Sequence, residues 1–520
     1  MTTVMKWIQD FPLQELYSHP MLCLQVAEVY SQGGMIDQIG PLLDAAEYGI
    51  ERSERQTEMD DKEPALSLSP QDITAIRSMS AILRGLKAVC AYHPQQALTI
   101  TEEARAQIPD MEIKELAILL WVQGWAYRSL GNLPLALSTL TQATDFARKS
   151  GAELRDIWTD LGNVTRLTGK LTQAADIFLR SLQIAAIRRI PDQGNLSRDE
   201  TFLSMIYFQQ NRLDAAFSYA TRALEHTQWW PSQNVIALAH TCLARIFLAR
   251  KDSDSARQAL QKADQERENR LMTPYVHRFV ETTWVQLWLE ESDWKRLDEW
   301  VEQTAPSVHT TLTTDEKIDE YSEMLLIMLA KVWIEKTRRS HFPDRSQDCL
   351  QLLGCLEINC QTVGRVNSLV TILFLKAINL YITGDTAEAL RALDSCLEYA
   401  QPGGYMRVFL DEEESARGLI EIYLRQATSK HTFFAQQIFI NFPKAAPINK
   451  KLPESVELLT TREHEVLILL ADGCSNRQIA ERLVLSEGTG KFHVHHVLAK
   501  LKVDSRTQAI LRAKELELIS

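Results

Sequence analysis

The chain has 520 residues, 45% of them apolar, and a formal net charge of −12. That is enough apolar material for a large core, arranged as several ordinary domains or as one long repeat array. The acidic balance excludes a protein that is basic throughout and coats nucleic acid non-specifically, but not a small DNA-binding module on an acidic body. The N-terminus, MTTVMKWIQDFPLQELYSHP, shows neither a long apolar run nor a small-residue cleavage site. No apolar stretch reaches the roughly 18 residues of a membrane span. Eight cysteines are scattered without a CxxC pair, and Cys349, Cys355 and Cys360, the closest group, read as small core residues of a helix. A reduced, cytoplasmic protein with no membrane contact is the expectation.

Taken in chain order, glycine and proline are sparse, apolar residues recur at spacings of three and four, and strict alternation is missing. The expected fold class is therefore all-α. Arg52 to Asp72, RSERQTEMDDKEPALSLSPQD, reads as a polar insertion. A marker then repeats: a turn residue followed five positions later by alanine, at Gly131/Ala136, Gly169/Ala174, Asn211/Ala216, Lys251/Ala256 and Gly384/Ala389. The turn residue would end one helix in a left-handed cap, and the alanine would let the next helix pack closely on it. The clearest unit is LLWVQGWAYRSLGNLPLALSTLTQATDFARKSG. A second polar break falls at Arg338 to Asp348, and FPKAAPINKKLPESVE, with three prolines and three lysines, reads as a linker. The expected division is a helical-repeat domain over 1–441, a linker over 442–457 and a C-terminal module over 458–520.

The repeated pairs resemble tetratricopeptide repeats, in degenerate units slightly longer than is usual. The opening WIQDFPLQELYSHPMLCLQVAEVYSQGGMIDQIGPLLDAAE is similar to the start of the repeat region in large MalT-like, LuxR-type regulators, where an ATPase module comes first. No GxxxxGK[ST] occurs in the chain, so the resemblance implies the C-terminal half of that architecture, as a natural short form or as part of a longer protein. It also implies a superhelix that receives a small-molecule inducer or a protein partner. Trp125, Tyr127, Trp158, Trp229, Trp230, Trp284, Trp288 and Trp294 could line such a site, but repeat packing accounts for most of them. No acid–base pair or nucleophile constellation emerges, so neither an enzyme nor a cofactor is expected.

Beyond Leu458, helix-start signals crowd together: Thr460-x-x-Glu463, Ser475-x-x-Gln478, Ser486 before Thr489, and Ser505-x-x-Gln508. They mark four short helices, the second and third separated by only a tight turn, which is a helix-turn-helix arrangement. The run LTTREHEVLILLADGCSNRQIAERLVLSEGTGKFHVHHVLAKLKVDSRTQAILRA resembles the LuxR-type DNA-binding domain through nearly its whole length.

Within it, SEGTGKFHVHH admits three readings. A phosphate loop requires glycine at 485 and Ser or Thr at 492, where Leu485 and Phe492 stand. A metal site has His493 and His496 one turn apart but no third ligand, so no metal is expected. As a recognition helix, Gly490, Val494, Val497, Leu498 and Leu501 share an inner face. Lys491, Phe492, His495 and Ala499 share an outer face that would enter the major groove. The expected base readers are Lys491, Phe492 and His495; the resemblance implies the same positions. Ser475, Asn476 and Arg477 at one helix start, Ser486 and Thr489 at the next, and His493 on the flank are expected to position phosphates. Lys500, Lys502 and Arg506 are either phosphate contacts or merely solvated.

From Lys451 to Ser520 there are ten Lys/Arg and ten Asp/Glu, so the −12 resides in the repeat body. One neutral module should bind modestly, which favours dimerisation on a two-fold or repeated double-stranded DNA site, with Ala509, Ile510, Ala513 and Leu516 as the pairing stripe or else as core. Gly490 stands where the LuxR-type pattern has valine, and Lys502 where it has glycine. The reading is a transcription regulator whose solenoid senses a ligand or partner; the alternative is an interaction scaffold with a weakened DNA module.

Overall fold

The structure, a computed structural model, describes residues 8, 11–32, 35–59, 68–152, 154–188, 193–228, 232–267, 272–306, 317–339, 345–426, 429–442, 461–471, 473–482, 487–501, 503 and 505–515. Among these residues helix is the sole regular secondary structure, and no helix is long and apolar enough to cross a membrane. The chain divides into two compact units, Met1–Asp411 and Glu412–Ser520.

In the first unit a short helix, α1 (Leu13–Tyr17), leads into consecutive helix pairs. These are α2/α3 (Pro20–Gln32, Ile39–Met59), α4/α5 (Pro70–Cys90, Pro94–Gln107), α6/α7 (Ile113–Ser129, Leu133–Ser150) and α8/α9 (Arg155–Leu167, Leu171–Arg188). They continue with α10/α11 (Gln193–Gln209, Leu213–Thr227), α12/α13 (Gln233–Ala249, Ser253–Arg267) and α14/α15 (Pro274–Glu291, Trp294–Thr304). The last are α16/α17 (Glu320–Arg338, Ser346–Val363) and α18/α19 (Val366–Ile382, Thr386–Ala400), followed by the single turn α20 (Arg407–Leu410). This is a tetratricopeptide-like solenoid, each pair stacking on its neighbours.

The turn inside a pair repeats as a chemical unit. Gly131, Gly169, Asn211, Lys251 and Gly384 all have φ in the left-handed region, as the spacing of the marker leads one to expect. So do Tyr92, which Ala97 follows at the same spacing, and Ser292, which leucine follows instead. After each of these the next backbone N–H reaches five residues back: His93 to Ala88 (2.8 Å), Asn132 to Tyr127 (2.8 Å), Lys170 to Thr165 (3.3 Å) and Arg212 to Tyr207 (2.8 Å). Asp252 to Phe247, Asp293 to Trp288 and Asp385 to Leu380 follow at 2.9 Å. That bond satisfies an orphan helix carbonyl and reverses the chain. The residue after the turn then often caps the second helix, as Asn132 accepts from the Leu135 N–H and Asp385 from the Glu388 N–H.

Packing within a pair has a fixed register about the turn. Five residues beyond it lie Ala97, Ala136, Ala174, Ala216, Ala256, Leu297 and Ala389, all buried. Seven residues before it stand mostly small residues: Gly85, Gly124, Gly162, Ser204, Ala244 and Ala377, with Val285 as the exception. A Cβ on Gly124 would lie 2.6 Å from Leu140, and one on Gly162 would lie 2.6 Å from Phe178. In these two pairs the glycine therefore receives the large side chain sixteen positions on, and the helices close to that depth.

Neighbouring pairs are joined by polar bonds spanning about one repeat. The Trp121 Nε1 donates to Asp160 at 2.7 Å, Arg198 bridges Asp156 and Asp160 at 3.0 and 3.2 Å, and Thr159 donates to Asp199 at 2.7 Å. Further on, Arg365 and the Cys360 thiol both bond the buried Glu323. Burial pushes Asp199 up to about 6 and Glu200 up to about 7, against the pull of Arg155 and Arg222 respectively.

The last pair comes back to the middle of the array. Gly131 lies against Val363, and Gly169 against Val366. Gln210 Nε2 donates to the Gly403 carbonyl at 3.1 Å, the Met406 N–H to the Gln209 carbonyl at 2.8 Å, and Arg407 to Asn211 Oδ1 at 3.2 Å. Tyr405 and Phe409 are wholly buried there. The turns of the third, fourth and fifth pairs are thus covered by residues 363–407.

The expected insertion at Arg52 to Asp72 is corrected in part. Helix α3 continues through Met59, with Ser53 buried and Glu54 paired to Arg77 at 2.9 Å. Ser69 and Asp72 form a capping box that opens α4. Charge-rich composition was mistaken for a loop because i,i+4 and interhelical ion pairs suit an exposed helix equally well. Phe442 aside, the expected linker over 442–457 lies outside the described residues.

Two outcomes follow from this packing. Gly169→Ala adds a Cβ 2.5 Å from Val366 at a φ of +83°, whereas Gly151→Ala meets nothing within 4 Å at +68°. Urea unfolding should show a loss of about 1 kcal/mol for Gly151→Ala from the backbone alone, and about 1–3 kcal/mol more for Gly169→Ala from overpacking; equal losses would mean that the closure contact is loose. Because the folded state raises the affinity of Glu200 for its proton, the group's contribution to stability falls as pH rises from its unfolded value through about 7. Glu200→Gln should flatten that fall and stabilise the protein at pH 8 by about 1–2 kcal/mol, read from denaturation midpoints across pH.

Candidate nucleic-acid interface

The second unit begins with two helices, α21 (Glu413–Gln426) and α22 (Thr432–Ile440), which pack on each other. It ends in four short ones: α23 (Thr461–Ala471), α24 (Asn476–Arg482), α25 (Glu487–Lys500) and α26 (Arg506–Glu515). Val466, Leu467 and Leu470 of α23, Ile479 of α24, Val494, Val497 and Leu501 from α25 and its end, and Ala509 and Ala513 of α26 form one buried cluster with Cys474. Ten such residues hold the short helices together, which none could do alone.

Local chemistry sets the angles. After α23 the chain turns at Gly473, with φ +79° and the Cys474 N–H bonded to the Leu469 carbonyl at 3.0 Å. This is the same reversal that the solenoid uses. Ser475 and Gln478 then form the expected capping box: the Gln478 N–H donates to Ser475 Oγ at 3.3 Å, and the Ser475 N–H to Gln478 Oε1 at 2.8 Å. Ser505 caps α26 by accepting from the Gln508 N–H at 3.3 Å. The Thr460/Glu463 pairing lies outside the described residues.

Helix α25 has two faces. Val494, Val497 and Leu501 are buried and Leu498 is half-buried. Lys491, His495, His496 and Ala499 are exposed, and His493 is half-buried between them. Lys491 and His495, one turn apart, therefore point away from the module's core on a helix fixed from behind. Ser475 and Arg477 are exposed and Asn476 half-buried at the start of α24. The side chains of Phe492, Ser486 and Thr489 lie outside the described residues. Gly490 sits in helical backbone.

One sequence reading changes and one open choice is decided for its two alanines. Arg506 is neither free nor directed at phosphate: its guanidinium donates to the Leu470 carbonyl at 3.2 Å and to the Cys474 carbonyl. It fastens α26 to the end of α23 and to the turn before α24. The contact escapes sequence reading because its acceptors are backbone atoms more than thirty residues away. In the proposed pairing stripe, Ala509 and Ala513 are wholly buried in the module's own core, while Leu511, outside the stripe, is 59% exposed. Among the described residues no group of three or more His, Cys, Asp or Glu is placed to hold a metal ion.

Fold and module together define a helical-repeat protein with a helix-turn-helix domain at its C-terminus. The sequence pattern described as the MalT-like TPR region matches residues 71–426, and that of the bacterial regulatory proteins of the luxR family matches residues 457–513. The chain belongs to the MalT-like TPR family and carries a LuxR-type helix-turn-helix domain. It is 22% identical to the HTH-type transcriptional regulator MalT of Vibrio cholerae over 96% of its length, and 24% identical to that of Serratia proteamaculans over 98%. In both cases it spans 55% of the relative, so the chain is about half the length of the curated relatives it matches. A Rap protein solved in complex with competence and sporulation factor shares the solenoid fold, with a TM-score of 0.54 and 12% identity over 74% of this chain and 99% of that one.

Arg506→Met should raise hydrogen exchange in α23 and α24 of the full chain by about tenfold or more, since two charge-assisted bonds to buried carbonyls are lost. Lys491→Ala should leave that protection unchanged. Equal protection in both variants would show that Arg506 does not fasten the module.

Proposed function

We propose that the chain is a DNA-binding transcription regulator that sets α25 in the major groove, while its solenoid senses a ligand or partner. The supporting observation is the exposed pair Lys491 and His495 on a helix whose opposite face, Val494, Val497 and Leu501, is locked in a LuxR-type core. Lys491 donates to guanine O6/N7 and His495 to a base acceptor. Phe492 meets a thymine methyl. Ser475, Asn476, Arg477, Ser486, Thr489 and His493 fix the register on phosphates, the first three at a helix N-terminus suited to anions. The Ser475 hydroxyl accepts a backbone N–H as a cap and keeps its own O–H for such a contact. The division proposed is a solenoid over 1–441, a linker over 442–457 and the DNA module over 458–520. Two copies act on a two-fold or repeated site. The regulators of the same family support this reading.

Lys491→Ala should weaken binding to a selected duplex by roughly 5- to 150-fold, the worth of one good base contact, with the helical signal unchanged. The logarithm of affinity should fall linearly with that of salt, by about 0.9 for each phosphate neutralised. Fluorescence anisotropy with duplexes enriched from a random pool reads both. If the intact chain selects no duplex, the scaffold reading replaces this one.

A further inference from the structure

The first helix of each pair packs on the first helix of the next, so α8, α10, α12 and α14 belong to one continuous layer. The return of the last pair brings α20 onto that layer. Two guanidinium groups meet there across Phe208 of α10. That of Arg245, on α12, lies 4.5 Å from the Phe208 ring centre and 5.3 Å from that of Phe279. That of Arg407, on α20, lies 5.7 Å from Phe208.

Their charges are not balanced. Asp411 is bound by Arg407, which also bonds Asn211. Arg245 has no hydrogen bond or ion pair among the described residues, although Asp411 is near enough to act on it. Burial lowers its affinity for its proton, and the charge of Arg407 lowers it further. Arg407 is 92% buried by its 8% exposure, yet its Nε–H has no partner among the described residues. A buried donor left unpaired, and a guanidinium held between two rings without an acceptor, are both costly unless something arrives to accept from them. The two rings lie within cation–π distance of Arg245, and a guanidinium's planar fork of N–H donors suits a planar or tetrahedral oxyanion. Arg245 is half-buried, so part of the residue stays exposed to solvent.

We propose that Arg245, with the free Nε–H of Arg407 beside it, binds the carboxylate or phosphate group of a small organic anion on the inner helix layer of the solenoid, against Phe208 and Phe279. This names the ligand class for the sensing half of the function proposed above. It is tested without DNA, so its failure and the failure of that reading remain distinct.

The test is calorimetric titration of the full chain with inorganic phosphate and, separately, with citrate, each at ionic strength matched with chloride. Saturable binding of at least one probe is expected, and which one binds separates phosphate from carboxylate recognition. Arg245→Met, which keeps the apolar stem between the rings, should lower that affinity by about tenfold or more. Arg55→Met, at an exposed outer position, should not. If Arg245→Met loses its helical signal, Arg245→Lys, which keeps the charge but not the fork, must show the loss instead. No binding of either probe, or equal binding by the Arg245 variants, would overturn the proposal.

Discussion

The solenoid depends on one backbone event, the left-handed residue that ends the first helix of a pair and lets the next N–H bond five residues back. That bond fixes where the chain reverses. The reversal sets which residues face each other across the pair: in most pairs a small one seven positions before and an alanine five after, and at Gly131 and Gly169 a large one nine after. Gly124 beneath Leu140 and Gly162 beneath Phe178 are consequences of it. The same event at Gly473 stands between the first two helices of the C-terminal module. A local conformational requirement thus recurs in both parts of the chain, and the hydrophobic burial that stabilises each part is arranged around it.

What the turns cannot do is decide where the array ends up. Its closure rests on contacts such as Gln210 with Gly403 and Arg407 with Asn211, almost 200 residues apart in the chain. These need close approach of backbone to backbone, at Gly169 and Gly403, and leave no room for Cβ atoms. The closure also creates the chemistry of the inner layer. Arg245 and Arg407 belong to helices distant in sequence, and only the returned coil sets both beside Phe208. A guanidinium that would be ordinary on a surface becomes a charge in want of a partner.

The C-terminal module solves a different problem. Its helices are too short to persist by themselves, so each contributes one to three apolar side chains to a common cluster. Arg506 shows how much of the stiffness is polar, since a single side chain holds the ends of three elements. The angle at which α25 is presented is set by residues on its buried side and by the helices packed behind it.

Much of this was legible in the sequence. Gly131, Gly169, Asn211, Lys251 and Gly384 could be found because alanine follows each at a constant distance, and all but Lys251 are glycine or asparagine, which tolerate positive φ. Tyr92, although Ala97 follows it at the same distance, is a residue type that seldom adopts positive φ, and Ser292 has Leu297 where the marker has alanine. The faces of the recognition helix followed from the 3.6-residue period, which places Val494 and Val497 opposite Lys491 and His495 whatever surrounds them. The helical class, the repeat and the capping box at Ser475 are likewise short-range facts, determined by the sequence by itself. The fastening role of Arg506, the spending of Ala509 and Ala513 in the core, and the meeting of Arg245 with Arg407 were decided only by the tertiary structure. Each depends on groups brought together over tens to hundreds of residues, and no local period records such a distance.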